Sequence, residues 1–244
     1  MYKFYQIVVT LYSWMLFISL WIFSTLMAVI LTMDAKDKEN VFNTIERLFS
    51  RIAFKLLGMK IEIQGLENIP RDEPVIFISN HQSMMDIKLS LACIPINISF
   101  ISKDTIFRVP ILGAYMTASG HIPIQRGEDR KAYETLLTAV KKLTAKKSLV
   151  VFPEGTRSED GQLGAFKRGI SLIILKSGRR VVPMAICGSN QFMPKRGWLS
   201  HPEKRYVKMN FGKPLSFDNS RTDREYTIQV TNQLRNEVLG LLQS

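Results

Sequence analysis

The chain opens on an uncharged run of thirty residues, Phe4 to Met33. As a helix rising ~1.5 Å per residue it would reach ~45 Å, more than the ~30 Å of a bilayer's hydrocarbon core. The run is too long for a signal peptide, and Leu31-Thr32-Met33-Asp34 offers no small-residue cleavage pattern. Trp14 and Trp21 lie in mid-segment on one face, whereas a spanning helix favours tryptophan near its two ends. Gln6, Thr10, Ser13 and Ser24 draw a thin polar stripe. After a charged turn, Phe42, Ile45, Leu48, Phe49, Ile52 and Leu56 recur at helical spacing, with Arg47, Arg51 and Lys55 opposite. Two placements suit this second helix: flat on an anionic interface, or with its apolar face packed on the first helix or the domain that follows. Together the two helices are expected to anchor the chain in a membrane, and the central tryptophans suggest one leaflet, with a crossing first helix as the open alternative. Residues 1–58 are read as this membrane-anchoring segment and residues 59–244 as a separate domain.

Beyond Gly58 the pattern alternates. Short apolar runs predict strands over Ile61–Gln64, Val75–Ser79, Ile98–Ile101, His121–Ile124, Leu149–Phe152, Val181–Ile186 and Tyr206–Phe211. Helical spacing predicts helices near Gln82–Ala92, Arg130–Ala145, Phe166–Lys176 and Asp223–Leu242. Strands and helices in alternation define an α/β fold, with a mixed, mostly parallel sheet flanked by helices. Pro123 cannot donate to a sheet ladder, so its strand belongs at an edge or a bulge.

Charge sharpens this division. The formal net charge is +12, yet residues 1–41 balance Lys3, Lys36 and Lys38 against Asp34, Asp37 and Glu39. A basic domain behind an apolar segment implies anionic partners, such as a phospholipid membrane, a phosphorylated substrate or an acidic carrier. No nucleic-acid recognition motif accompanies the charge, so no nucleic-acid partner is expected. Cys93 and Cys187 form no C-x-x-C pair, and His81, His121 and His201 lack metal-ligand spacing, so no metal is expected.

Two constellations follow strong apolar strands. Asn80-His81-Gln82-Ser83-Met84-Met85-Asp86 comes directly after Val75–Ser79. Five residues along a helix turn ~500°, so His81 and Asp86 meet only if His81 stands in the turn before a helix and Asp86 in its first turns. The carboxylate then keeps one ring nitrogen protonated and frees the other to accept a hydroxyl proton. The alternative is that Asn80 or Ser83 caps a helix and His81 is a solvated loop residue. The second constellation is Phe152-Pro153-Glu154-Gly155-Thr156-Arg157-Ser158, after Leu149–Phe152. Gly155 permits close backbone approach to an anion, Arg157 offers a fork matched to phosphate oxygens, and Glu154 either orients Arg157 or accepts from a substrate hydroxyl. The alternative here is an ordinary turn with a surface arginine. Arg126, ending Gly120-His121-Ile122-Pro123-Ile124-Gln125-Arg126, and Lys103 are further candidate cations, and Val182-Pro183-Met184-Ala185-Ile186 reads as a buried strand.

Taken in order, these segments resemble the glycerolipid acyltransferase family, in particular bacterial 1-acylglycerol-3-phosphate acyltransferases. The resemblance rests on Asn80-His81 with Asp86, Gly120 with Ile124 and Arg126, Phe152 through Arg157, and Val182-Pro183 with Ile186, and it spans about Lys60 to Gly212. It implies direct transfer of an acyl chain from a thioester to the sn-2 hydroxyl of lysophosphatidic acid. His81 would be the general base, with Asp86 as its partner. Arg126, Arg157 and Lys103, with Glu154, Gly155 and Thr156, would form the phosphate pocket. No cofactor is implied; the co-substrate is acyl-CoA or an acyl carrier protein thioester. Localisation at a cell inner membrane, with the catalytic domain on the cytoplasmic side, follows from the same resemblance. Pro123 stands where the family usually has Phe, and Gln125 where Asp is common, so acyl and headgroup preference stay open. Other lyso-lipids or glycerol 3-phosphate remain alternative acceptors, and a non-catalytic protein binding anionic membrane remains the alternative outside enzymology. No G-x-S-x-G elbow supports an esterase. The basic pairs Lys195-Arg196 and Lys204-Arg205, with Lys208, suit coenzyme A phosphates, an acidic carrier protein or the bilayer itself.

Overall fold

The computed structural model describes residues 1–32, 35–124, 147–196 and 199–244. Its strands are β1 (Lys60–Gln64), β2 (Ile76–Ser79), β3 (Ile98–Lys103), β4 (Ile122–Ile124), β5 (Ser148–Val151), β6 (Val181–Cys187) and β7 (Tyr206–Phe211). They form one sheet in the order β1-β7-β6-β2-β5-β3-β4, parallel at every pairing except β6 with β7. The helices are α1 (Tyr2–Leu31), α2 (Lys38–Leu56), α3 (Met85–Cys93), α4 (Asp104–Phe107), α5 (Leu112–Ala118), α6 (Gly169–Ser177), α7 (Ser189–Phe192) and α8 (Arg224–Gln243). The expected mixed, mostly parallel sheet is present, and each strand lies where its apolar run predicted it. Pro123 sits on β4, at the sheet edge. The expected helix 130–145 falls outside the described residues, and the short helices α4, α5 and α7 have no counterpart among the expected ones.

The central strands are buried on both faces, which is why they read as continuous apolar runs and not as alternations. Phe77, Val150, Val182, Met184 and Ile186 face one core, to which α2 adds Phe54 and α3 adds Leu89. Ile76, Ile78, Leu149, Val151 and Val181 face the other, completed by Ile173 and Ile174 of α6 and by Val230 and Leu234 of α8. The β2–α3–β3 connection runs toward β4, whereas β5–α6–β6 runs back across β2. Right-handed crossovers in opposite directions put α3 and α6 on opposite faces. A crevice therefore opens between the carboxyl ends of β2 and β5, the position at which open α/β sheets bind ligands.

By length and composition α1 could cross a membrane, yet it lies along the domain with its polar stripe turned inward. The Tyr2 hydroxyl donates to Glu203 Oε2 at 2.7 Å, Gln6 Nε2 lies 3.2 Å from His201 Nδ1, and Thr10 Oγ1 accepts from the Ser200 N–H at 2.7 Å. Ser24 Oγ donates to Glu46 of α2 at 2.8 Å. Trp21, on the same side, packs edge-on against Tyr115 of α5. Outward, Leu11, Met15, Ile18, Ile22, Phe23 and Leu26 stand exposed. Of the two placements open to α2, packing on α1 and the domain is the one observed. Phe42, Ile45, Ala53 and Phe54 are buried. Its arginines reach the domain: Arg47 donates to Ile96 O at 2.8 Å and Arg51 to Ala92 O at 2.7 Å. Buried Glu46 forms an ion pair with Lys88 of α3.

Candidate active site

Asn80 fixes the chain as it leaves β2. Its side chain donates to Ile186 O and accepts from the Ile186 N–H, both at 2.8 Å, so it ties β2 to β6 and does not cap α3. His81 follows in the turn before α3, and Asp86 lies in the helix's first turn. They meet: His81 Nδ1 is 2.8 Å from Asp86 Oδ2, which also accepts from the N–H groups of Gln82 at 2.7 Å and Ser83 at 2.8 Å. A carboxylate oxygen only accepts, so Nδ1 carries the ring proton and Nε2 keeps a free lone pair. Among the described residues nothing donates to Nε2. The His81 ring stacks on Phe152 with centroids 4.1 Å apart. Its side chain retains 16% exposure while Asp86 retains none, so the base is reachable and its partner is sealed. A solvated loop histidine does not describe this arrangement.

β5 delivers the second constellation on the other side of the crevice. Gly155 adopts φ +71°, a backbone conformation that selects glycine; a Cβ there would meet only the flexible end of Lys167, at 2.9 Å from Cε. Glu154 is placed differently from either expected role. Its Oε1 accepts from the His81 N–H and its Oε2 from the Gly164 N–H, each at 2.9 Å, so it neither orients Arg157 nor faces an acceptor. Burial pushes its carboxyl above the usual range, and the two amides work against that rise. The Ser158 N–H donates to His81 O at 2.7 Å. The turn thus grips the His81 backbone at both its amide and its carbonyl. Thr156 is exposed, and its Oγ1 accepts from Lys195 Nζ at 3.3 Å. The half-buried Arg157 guanidinium makes no hydrogen bond or ion pair with any described residue.

Lys103 ends β3 at the same carboxyl edge, exposed. Arg126 lies outside the described residues. His121 is not brought to the crevice: it packs against Phe100 and Tyr115. Burial, then Lys147 and Lys88, pull its pKa down to about 3, so it stays neutral. Among the described residues no group of three His, Cys, Asp or Glu side chains is placed to hold a metal ion. Two residues named from the sequence take other parts than expected. Glu154 is a clamp between the two constellations, and Lys195, read only as part of a basic pair, reaches the turn from the loop after α7.

A histidine–carboxylate pair with a free nitrogen, beside a turn that presents arginine, suits deprotonation of a hydroxyl on an anionic acceptor. The protein's relatives agree in class. The family described as Acyltransferase matches residues 60–187, and the chain belongs to it. A chloroplastic 1-acyl-sn-glycerol-3-phosphate acyltransferase of Arabidopsis thaliana is 40% identical over 151 residues, 61% of this chain and 42% of that protein. The 1-acyl-sn-glycerol-3-phosphate acyltransferase of Borreliella burgdorferi is 30% identical over 145 residues, 59% of this chain and 58% of its own. The chain spans about half the length of the curated relatives it matches. The crystal structure of the 1-acyl-sn-glycerophosphate (LPA) acyltransferase PlsC from Thermotoga maritima is similar with a TM-score of 0.80 at 27% identity, over 98% of each chain.

Proposed function

We propose that this protein acylates the sn-2 hydroxyl of lysophosphatidic acid from an acyl thioester, giving phosphatidic acid for phospholipid synthesis. One observation carries the reading: His81 is held by Asp86 at 2.8 Å with Nε2 unengaged, and its backbone is locked to the turn that bears Arg157. Nε2 takes the acceptor's hydroxyl proton as the oxygen attacks the thioester carbonyl. Asp86 balances the imidazolium that forms. Collapse of the tetrahedral intermediate breaks the C–S bond, and the departing thiolate takes the proton back from His81, so no acyl-enzyme is needed. Arg157, with Lys103 and Arg126, binds the acceptor phosphate, while Gly155 and Thr156 shape that wall and Glu154 keeps it in register with His81. Holding both reactants at Nε2 contributes on the order of several kcal/mol through orientation alone. The thioester carrier is coenzyme A or an acyl carrier protein. The names of the relatives support lysophosphatidic acid as the acceptor.

The same reading puts the protein at the cytoplasmic face of a cell inner membrane, with α1 flat in one leaflet. Support comes from the bonds that tie α1 to the domain along its length and from the apolar face it turns outward. The test is to incubate the protein in lipid micelles with lysophosphatidic acid and acyl-CoA, then with acyl carrier protein as donor and glycerol 3-phosphate as acceptor. Phosphatidic acid from the wild type and none from His81→Ala is the expected result. Transfer by His81→Ala would remove the base, and no transfer with any pair would leave the membrane-binding alternative. For the anchor, Ile18→Asp with Ile22→Asp should cut binding to anionic vesicles by roughly tenfold or more. Unchanged sedimentation with vesicles would put the membrane contact elsewhere.

A further inference from the structure

Lys195 belongs to none of the motifs. It follows α7 and reaches back over the carboxyl edge of the sheet, where its Nζ donates to Arg157 O at 2.7 Å and to Thr156 Oγ1 at 3.3 Å. It also pairs with Glu159 Oε1 at 3.4 Å, and Arg196 pairs with the other oxygen of that carboxylate. Arg157, Lys195 and Arg196 therefore converge on one turn. A single carboxylate serves two of them, and the Arg157 guanidinium engages no described residue. Glu159 is 47% exposed and its contact with Lys195 is long. Such pairs contribute little and exchange readily. A phosphate monoester brings more charge than a carboxylate and three acceptor oxygens, and it also matches the arginine fork. Lys195 already fixes the Thr156 hydroxyl and the Arg157 main chain at this turn.

We propose that Glu159 is the resting occupant of a phosphate-monoester site, and that an entering phosphate displaces it from Lys195 and Arg196. Lys195 has two tasks: it positions the Thr156–Arg157 turn and supplies charge to the anion. The inference rests on the phosphate-binding reading of this turn, but the test needs binding only, so failure of acyl transfer would not touch it. The phosphate monoester can belong to the acceptor or to coenzyme A, whose ribose carries one.

Titration calorimetry on the full chain in micelles, with lysophosphatidic acid and separately with coenzyme A, distinguishes the two sources. Monoacylglycerol, which lacks the phosphate, is the control. Lys195→Gln should weaken the phosphate ligand about tenfold, and Lys195→Arg should restore most of the loss. Glu159→Gln should strengthen binding severalfold. Monoacylglycerol should be indifferent to all three. Changes confined to lysophosphatidic acid assign the site to the acceptor, and changes confined to coenzyme A assign it to the donor. Glu159→Gln leaving both affinities unchanged or weaker would overturn the proposal. So would Lys195→Gln lowering the melting temperature without altering either affinity. A wild type that binds lysophosphatidic acid but never acylates it would remove the proposed function and leave this site standing.

Discussion

The α1–α2 hairpin and the crevice between β2 and β5 both bury polar side chains among apolar neighbours, and they use them differently. In the hairpin nearly every polar group is engaged: Thr10 with Ser200, Ser24 and Lys88 with Glu46, Arg47 with Ile96, Arg51 with Ala92. The exceptions there, Arg47 Nε and Ser50 Oγ, are sealed from solvent. In the crevice Asp86 Oδ1 and Gln82 Oε1 are likewise sealed without a partner, but His81 and Arg157 are held at one end and left open at the other. His81 is fixed through Nδ1 and its backbone while Nε2 stays open. Arg157 is fixed through its carbonyl while its guanidinium stays open. Burying polar atoms is costly unless they are paired, so full pairing marks a seam and partial pairing at an opening marks a place for a ligand.

Substitution separates the two regions. His81→Ala should lower turnover by about 10³-fold or more while the melting temperature holds, because its ring serves the reaction and not the seam. A parallel loss of stability, seen by thermal melting of the same preparation, would move His81 among the structural groups. Lys88→Ala does the reverse. It strands the Glu46 carboxylate, 3% exposed, without its cation. Since Lys88 itself is partly exposed, the expected cost is about 3 kcal/mol, the low end for a buried pair losing one partner. Urea unfolding measures this, and Lys88→Met with Glu46→Leu should recover much of it. Arg157→Ala should raise the acceptor KM roughly tenfold and leave the donor KM alone. A change in donor KM instead would move Arg157 to the other subsite.

The smallest effect concerns His121. Its pKa lies at about 3 in the folded chain and near 6.5 unfolded. Between those values the unfolded state binds the extra proton. The stability His121 contributes is therefore present above about pH 6.5 and is lost as pH falls toward 3. His121→Asn, which can keep an acceptor for the Phe100 N–H, should flatten the acid limb of a melting-temperature profile. An unchanged limb would mean that other groups set it.

What was legible in the sequence was local. Each strand is a short apolar run between turn residues, and His81 with Asp86 is a single strand-to-helix turn, so neither needs knowledge of a distant partner. Glu154 was misread because its partner, the His81 amide, is 73 residues away and depends on the register of β2 against β5. From the sequence, Arg47 and Arg51 left lipid contact and packing on the protein equally open, because nothing nearby in sequence accepts a hydrogen bond from them. Their acceptors are Ala92 O in the last turn of α3 and Ile96 O just beyond it, where carbonyls lack helical partners and cations are favoured. Lys195 was visible only as one of several basic pairs, because its contacts lie 38 and 39 residues back.

The bonds that tie α1 down also set an order in time. Tyr2, Gln6 and Thr10 find their partners 201, 195 and 190 residues later in the chain. At synthesis rates of about 5–20 residues per second, those partners emerge roughly 10–40 s after α1 does. β1 waits for β7, its neighbour in the sheet, across a shorter stretch, from Lys60 to Tyr206. Over that interval α1, uncharged from Phe4 onward, has only α2 to cover it, and a bilayer is the nearest medium that will cover the rest. The nascent chain would then reach the lipid before it has a domain to bring there, and the sheet would close over a helix already lying at the surface where the finished enzyme works.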